Sequence, residues 1–259
     1  MKNFSNSETT LYNWVNRLHS SPIWNNLVLK SHNILLGQVD TLVHERQLLK
    51  TEKNYSPFSY EYNLLFTAIS LETELGYLLN DAADTNSLFL AHLCNRPPNS
   101  VSFFTDGSKD EEPGRVGAAC YSPDLNTFLM LRLHSYFSIF SAECIALKNA
   151  IRITLESSHD NVLIYSDRLS ALQASIKSSV TIKTNSFIVD IRKLINLCSS
   201  ADKNLCFYWI PSHIGITLNE KADSLAKKAS CTNVSPDVMV PFSDFSLSFK
   251  KQAKTDTER

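Results

Sequence analysis

The sequence predicts an α/β fold in which helices pack on a five-stranded mixed sheet. Three observations predict it. Apolar runs separated by turn residues between 101 and 133 are typical of three antiparallel strands. The continuous apolar run at 162–165 is typical of a central strand that is covered on both faces. Helical patterns alternate with the later strands, which gives the element order β-β-β-α-β-α-α-β-α.

The first three strands are expected at 101–105, 116–121 and 128–133. The first of them leads into Asp106-Gly107-Ser108, and we place Asp106 at its end. A turn is expected at Ser122-Pro123-Asp124, between the second strand and the third.

A long helix is expected at 139–156, where alanine recurs every four residues and allows close packing on the sheet. Two further helices are expected at about 168–176 and 185–200, and the last strand at 205–210. The final helix opens with Thr217-x-x-Glu220, which is the pattern of a capping box.

The chain divides into three parts. Residues 1–98 form a mostly helical or irregular segment, with short helical pieces near 11–15 and 27–29 and a polar helix at 40–50. The two prolines of Asn95–Ser100 favour an extended linker, so the main domain is expected at 99–230. Residues 231–259 are expected to form a polar, partly disordered tail.

The composition excludes several classes of protein. Apolar residues make up 43% of the chain and charged residues 20%, which is enough apolar material for a packed core. No apolar stretch is long enough to span a membrane, and the polar N-terminus lacks the pattern of a signal peptide. The six cysteines are scattered without a metal-binding spacing. We therefore expect an intracellular protein, with nucleus and cytoplasm not distinguished.

The formal net charge of −1 gives no global attraction to nucleic acid. A protein that binds polyphosphate usually presents a basic face, so the total charge counts mildly against such a partner. Cations held by carboxylates would change the local sign of the charge.

Four acidic residues stand out by position. Asp106 and Asp167 each follow a predicted strand, Glu143 lies near the start of the first long helix, and Asp223 lies in the final helix. Each has a simpler interpretation when it is taken alone. Asp106 is compatible with a turn, Glu143 with the N-terminal helix dipole, Asp167 with a helix cap, and Asp223 with an ion pair to Lys227.

Together the four acids favour a different interpretation. Two carboxylates at strand ends and two from helices that pack on the sheet can meet in one pocket, where they would repel one another. Divalent cations relieve such repulsion, and ligation by oxygen alone suits Mg²⁺ or Mn²⁺. A pair of such ions is suited to phosphoryl transfer.

The same residues resemble the signature blocks of type 1 ribonuclease H. The blocks, in chain order, are Phe104-Thr105-Asp106-Gly107-Ser108, Ser141-Ala142-Glu143, Tyr165-Ser166-Asp167 and 209–216 with its continuation at 219–226. The residues of these blocks are most similar to those of the ribonuclease H domains of animal non-LTR retrotransposons. In those elements the domain follows a reverse transcriptase, which is the partner domain that the resemblance implies here.

The resemblance implies a ribonuclease H-like fold and an endonuclease that hydrolyses the RNA strand of RNA–DNA hybrids. Asp106, Glu143, Asp167 and Asp223 would hold two Mg²⁺ ions, with Mn²⁺ as an alternative. His213 would assist proton transfer or product release. The hybrid would lie against Gly107, Ser108, Asn219 and Arg168, and RNA would be recognised by its 2′-hydroxyl groups.

Three features depart from the family pattern. Arg168 stands where relatives have a small or amide residue, and its guanidinium would either bind phosphate or pair with a metal-binding carboxylate. Leu218 stands where many relatives have a glycine, so the preceding loop is expected to differ. Only residues 177–184 separate the two middle helices, which leaves no room for a basic helical insertion.

Two other functions stay open. A catalytically inactive remnant that still binds nucleic acid is favoured by Arg168 and by the near-neutral charge. An interaction scaffold, in which residues 1–98 dock a partner, is the third. The intact set of four acids favours the active nuclease over both.

Overall fold

A computed structural model of the protein describes residues 69–110, 114–177, 184–235 and 238–245. The helical pieces predicted near 11–15 and 27–29 and the polar helix at 40–50 lie outside the described residues. The final part of the predicted tail, residues 246–259, also lies outside them.

Twelve elements are named within the described ranges. The strands are β1 (Ser70–Glu72), β2 (Ser100–Lys109), β3 (Val116–Ser122), β4 (Thr127–Leu133), β5 (Asn161–Ser166) and β6 (Asn204–Trp209). The helices are α1 (Glu74–Asn80), α2 (Thr85–Cys94), α3 (Ile139–Glu156), α4 (Leu169–Ile176), α5 (Ser186–Ser200) and α6 (Thr217–Ala229).

The strands form one mixed sheet in the order β1-β6-β5-β2-β3-β4. β2, β3 and β4 are antiparallel, whereas β5 is parallel to β2 and to β6. The predicted α/β class with a mixed sheet is confirmed, and β5 lies inside the sheet as expected. The sheet has one strand more than predicted, because β1 pairs in parallel with β6. Three residues are too few to show the alternation by which a strand is recognised in a sequence.

Two glycines show how helices pack on both faces of the sheet. Gly107 pairs with Ala118, and Gly117 pairs with Ser108, so the two glycines lie on opposite faces. A Cβ atom at Gly107 would contact Ala142 of α3, whereas one at Gly117 would contact Ser230 at the end of α6. Helices α3 and α6 therefore cover opposite faces of the sheet.

Helices α1 and α2 contribute to the core on the α6 side. Leu79 of α1 and Phe89 of α2 are fully buried. They belong to one apolar cluster with Phe104 of β2, Tyr165 of β5 and Ala222 of α6. The segment before the predicted linker is thus packed against the sheet.

The chain after α6 also contacts the domain. Val240 and Phe245 are buried. The carboxylate of Asp244 accepts hydrogen bonds from the backbone N–H and the hydroxyl of Ser138, at 2.9 and 3.0 Å. Ser138 is the N-cap residue of α3, so this contact fixes the start of that helix. The division of the chain at residues 98 and 230 stays a prediction.

The predicted capping box of the final helix is wrong. The N-cap of α6 is Ile216, whose side chain makes no capping hydrogen bond. Thr217 lies inside the helix, and both its backbone N–H and its hydroxyl donate to Oδ1 of Asn86 in α2, at 3.1 and 2.6 Å. A residue remote in sequence supplies the cap, so the local pattern could not show it.

Among the described residues, no helix is long and apolar enough to cross a membrane. The six cysteines are free thiols.

Gly117→Ala should lower the free energy of unfolding by about 1–3 kcal/mol, which is typical of an overpacked core. The added methyl group would lie 2.7 Å from the backbone nitrogen of Ser230 and would force α6 away from the sheet. Urea unfolding followed by circular dichroism measures the change. An unchanged midpoint would contradict the close packing of α6 on β3.

Candidate active site

Two neighbouring parallel strands place the first pair of acids. The last residues that pair β2 with β5 are Thr105 and Ser166, so Asp106 and Asp167 each come directly after this pair and lie at the same point of the sheet. Asp106 does not end its strand as predicted, because β2 continues to Lys109 in its pairing with β3. The turn interpretation of Asp106 is therefore excluded by the strand pairing.

Helix α3 brings Glu143 to the same point. The helix is capped by the hydroxyl of Ser138, which accepts from the backbone N–H of Ser141. A Cβ atom at Gly107 would lie 2.8 Å from the backbone nitrogen of Glu143. The missing side chain at Gly107 thus lets the helix approach β2 closely enough to set Glu143 beside Asp106.

Asp106, Glu143 and Asp167 form a cluster in which one carboxylate oxygen from each lies within 4.8 Å of the others. The exposed fraction of Asp106 is 6% and that of Glu143 is 2%. Oδ2 of Asp106 and Oε2 of Glu143 are buried without a hydrogen-bond partner among the described residues. Buried acceptors without donors are costly, which indicates that the cluster is built for a ligand that supplies positive charge.

Burial, together with repulsion from neighbouring carboxylates, raises the pKa values of all three acids. Burial, followed by the charges of Asp167 and Asp223, raises the pKa of Asp106 to about 8. Burial and the charges of Asp106 and Asp167 raise the pKa of Glu143 well above its usual range. Burial also raises the pKa of Asp167, against the opposing charges of Arg168 and His213. With a pKa of about 8, Asp106 is mostly protonated at neutral pH.

The fourth predicted acid, Asp223, is not part of this group of three. It is close enough to raise the pKa of Asp106, but its own carboxylate pairs with Lys227 at 2.7 Å. The ion pair to Lys227 was the simpler interpretation of Asp223, and the structure contains it. Asp223 therefore borders the cluster.

Arg168 lies at the edge of the cluster. Its Nε is 3.4 Å from Oε1 of Glu143, and its side chain is 42% exposed. Arg168 is also the N-cap residue of α4, without a side-chain capping bond, so Asp167 does not cap that helix. A partly exposed guanidinium with one nitrogen near a carboxylate can also hold a phosphate group.

His213 lies in the loop that leads to α6. The residue is exposed and has a positive φ of 55°, and Gly215 in the same loop has a φ of 84°. A positive charge on His213 lowers the pKa of Asp167, so the imidazole lies near that carboxylate. Leu218 lies inside α6 and packs on the core, so the left-handed backbone of the loop falls on other residues.

The remaining predicted contacts to nucleic acid have different surroundings. Ser108 and Asn219 are buried, at 9% and 4% exposed. Gly107 is half-buried beneath α3. The part of these three residues in binding the hybrid stays a prediction.

One contact to the cluster was not predicted. The indole N–H of Trp209, at the end of β6, donates to the backbone carbonyl of Asp167 at 3.1 Å. The sequence shows this tryptophan only as part of a signature block, because a bond between residues 42 apart depends on the pairing of β5 with β6.

The donor set of the cluster fits a hard divalent cation. All candidate ligand atoms are carboxylate oxygens, and two buried oxygens have no hydrogen-bond donor among the described residues. Carboxylate ligation is what Mg²⁺ and Mn²⁺ prefer, whereas thiols and imidazoles would indicate zinc.

Comparison with known families decides the class of the domain. The sequence model of the RNase H family matches residues 98–231, just over half of the chain. The chain belongs to the RNase H family. The matched region contains every acid of the cluster and the two basic residues that pair with the acids, Arg168 and Lys227. The ribonuclease H domain of this chain therefore carries the whole candidate site.

Among solved structures, the chain is similar to a foamy viral protease-reverse transcriptase determined in complex with an RNA/DNA hybrid. The identity is 18% and the TM-score is 0.43, over 54% of this chain. The chain spans about a fifth of the length of that protein, 21%. The comparison with curated proteins gave no match.

The raised pKa of Asp106 predicts how stability depends on pH in EDTA. Between about pH 4 and about pH 8, Asp106 holds a proton in the folded protein and loses it on unfolding. The free energy of unfolding should therefore fall as the pH rises through this range, by at most about 1.4 kcal/mol per pH unit from this group. Urea unfolding at pH 5, 6.5 and 8 measures the slope. Asp106→Asn should make the slope shallower, and equal slopes in the two proteins would contradict the protonated cluster.

Proposed function

We propose that this chain is an endonuclease that hydrolyses the RNA strand of RNA–DNA hybrids. The observation that carries the proposal is the cluster of Asp106, Glu143 and Asp167, with two buried oxygens that lack donors, inside a domain of the RNase H family. A cluster that needs cations suits a polyanionic substrate, because bound cations would turn a repulsive surface into an attractive one.

Asp106, Glu143 and Asp167 would hold divalent cations, with Asp223 completing the set once its pair with Lys227 opens. We propose two Mg²⁺ ions, with Mn²⁺ as a substitute. When bound, such cations supply the charge that activates water and stabilises the leaving oxygen of a phosphodiester. The protein's part is to hold the carboxylates at fixed positions, which α3 and the β2–β5 pair achieve.

Arg168 would contact a phosphate of the hybrid. Its exposed guanidinium lies beside Glu143, next to the position where the scissile phosphate would approach the carboxylates. Gly107, Ser108 and Asn219 would line the same surface. Preference for RNA would come from contacts with 2′-hydroxyl groups in the shallow minor groove and not from base sequence.

His213 would move a proton or assist release of the product. Its exposed position allows the imidazole to exchange protons with solvent, while its charge acts on Asp167. An imidazole can both donate and accept a proton, which suits this task. His213 adds no negative charge to the cation site, so its loss should harm catalysis less than loss of Asp106.

A second function is favoured by one observation. Arg168 lies 3.4 Å from Glu143, and Lys227 pairs with Asp223, so two basic side chains of the protein already contact the acids. If these side chains outcompete divalent metal ions for the carboxylates, the domain would bind nucleic acid without cleaving it. Binding of a hybrid in EDTA, with no cleavage in Mg²⁺, would select this inactive remnant.

The residues of the signature blocks support a proposal about the origin of the chain. We propose that it is a ribonuclease H domain of an animal non-LTR retrotransposon, in which a reverse transcriptase would be the preceding domain. Such a protein would act inside the cell, on hybrids made by reverse transcription.

Incubation of a labelled RNA–DNA hybrid with the full chain tests the function. We expect cleavage of the RNA strand in Mg²⁺, no cleavage in EDTA, and no cleavage of duplex RNA or duplex DNA. Failure of the folded protein to cut the hybrid in both Mg²⁺ and Mn²⁺ would refute the proposal.

Asp106→Asn should lower kcat by far more than about tenfold, because it removes charge from the cation site without changing the packing volume. Asp202→Asn is the matched control. Asp202 is exposed in a turn with a φ of 55°, which asparagine also tolerates, so this variant should cleave like the parent. A loss smaller than tenfold in Asp106→Asn would remove Asp106 from the cation-binding set.

A further inference from the structure

Residues 70–94 lie outside the part of the chain that the RNase H family model matches, yet they contact β5, β6 and α6, which position the acids. We name β1, α1 and α2 together the brace. Three separate contacts connect the brace to the site, and each reaches a different element of it.

The first contact supports the backbone of Asp167. Gly76 of α1 lies against Trp209, where a Cβ atom would come within 2.6 Å of the Trp209 carbonyl and would overlap the indole ring. The ring of Tyr77 packs on the same indole, with 5.2 Å between centroids. Since the indole N–H of Trp209 donates to the carbonyl of Asp167, α1 fixes the group that holds this acid.

The second contact supports the strand that leads to Asp167. Nε2 of His92 in α2 lies 3.0 Å from the hydroxyl of Tyr165, two residues before the acid. The ring of Phe89 packs edge-on against Tyr165, with 5.2 Å between centroids. The rings of His92 and Phe89 therefore restrict the end of β5, directly before the cluster.

The third contact is the cap of α6. Oδ1 of Asn86 accepts from the N–H and the hydroxyl of Thr217, while Ile216 at the N-cap position has no side chain that can accept. The helix start lies directly after the loop of His213 and six residues before Asp223. A free N-terminal turn frays, so the cap from α2 limits the motion of both residues.

We propose that the brace is a positioning element of the nuclease site, with Asn86, Gly76 and His92 acting through Thr217, Trp209 and Tyr165. The alternative is that the brace only covers apolar surface, since Leu79 and Phe89 are buried in the same core. The two roles differ in what they change. A cover affects the stability of the fold, whereas a positioning element affects turnover by molecules that are folded.

The inference rests on the proposed nuclease activity, and Asn86→Ala in the full chain tests it. Alanine forms helices better than asparagine, so α2 itself should not be weakened. We expect kcat on the hybrid to fall by roughly tenfold, with KM within about twofold, because misplacement of catalytic groups lowers turnover. Asn86→Asp keeps an oxygen acceptor at the helix start and should retain kcat within about twofold.

Asn95→Ala is the matched control. Asn95 is exposed at the end of the same helix, and among the described residues its side-chain amide bonds only to the carbonyl of Ala91 in that helix. This variant should keep the parent kcat. Gly76→Ala tests the other end of the brace, and its methyl group should displace Trp209 and lower kcat in the same way.

Amide hydrogen exchange gives a readout that does not depend on cleavage. Asn86→Ala should speed exchange in residues 214–223, and Asn95→Ala should not. If the parent protein cleaves no hybrid, the proposed function fails and exchange alone decides whether the brace holds α6. Unchanged exchange in Asn86→Ala would overturn the inference, as would a lower melting temperature with kcat unchanged, which is the result expected of a simple cover.

Discussion

Repulsion among the carboxylates of Asp106 in β2, Glu143 in α3 and Asp167 directly after β5 is the constraint on which the rest of the site depends. Asp106, Glu143 and Asp167 bring their oxygens within 4.8 Å, in surroundings that leave two oxygens buried without donors among the described residues. Such charges repel strongly where water is excluded, so the acids must be held in place by the fold. Close packing of α3 on Gly107 and the capping of that helix by Ser138 supply this restraint. The protons that the cluster retains and the guanidinium of Arg168 relieve part of the repulsion.

Much of this arrangement was predictable from local patterns. Helix α3 was expected at its observed bounds, because alanines at four-residue spacing mark a face that packs closely. The central place of β5 followed from its unbroken apolar run. Acids placed at strand ends and early in a helix led to the cluster, since parallel strands end at one edge of a sheet. The pair of Asp223 with Lys227 was also visible, because residues four apart on a helix are neighbours.

The rest depends on contacts between residues far apart in the chain, which no local pattern shows. Strand β1 has three residues and gains its place by pairing with β6, more than 130 positions later. The capping box predicted at Thr217 was wrong because Asn86 supplies the acceptor from α2. Strand β2 runs past Asp106 because β3 still offers it a partner after β5 has ended. In each case tertiary pairing, and not intrinsic preference, decided the local structure.

Titration calorimetry with Mg²⁺ at pH 7, in two buffers of different ionisation enthalpy, tests the central claim most directly. Carboxylates must lose their protons to bind a cation, and the pKa of Asp106 is raised to about 8, so binding should release about one proton from this group. At about pH 9.5 its contribution should be close to zero, and in Asp106→Asn the release at pH 7 should be smaller. Mg²⁺ binding with no proton release at pH 7, or no binding by the folded protein, would contradict a protonated carboxylate cluster built to hold divalent cations.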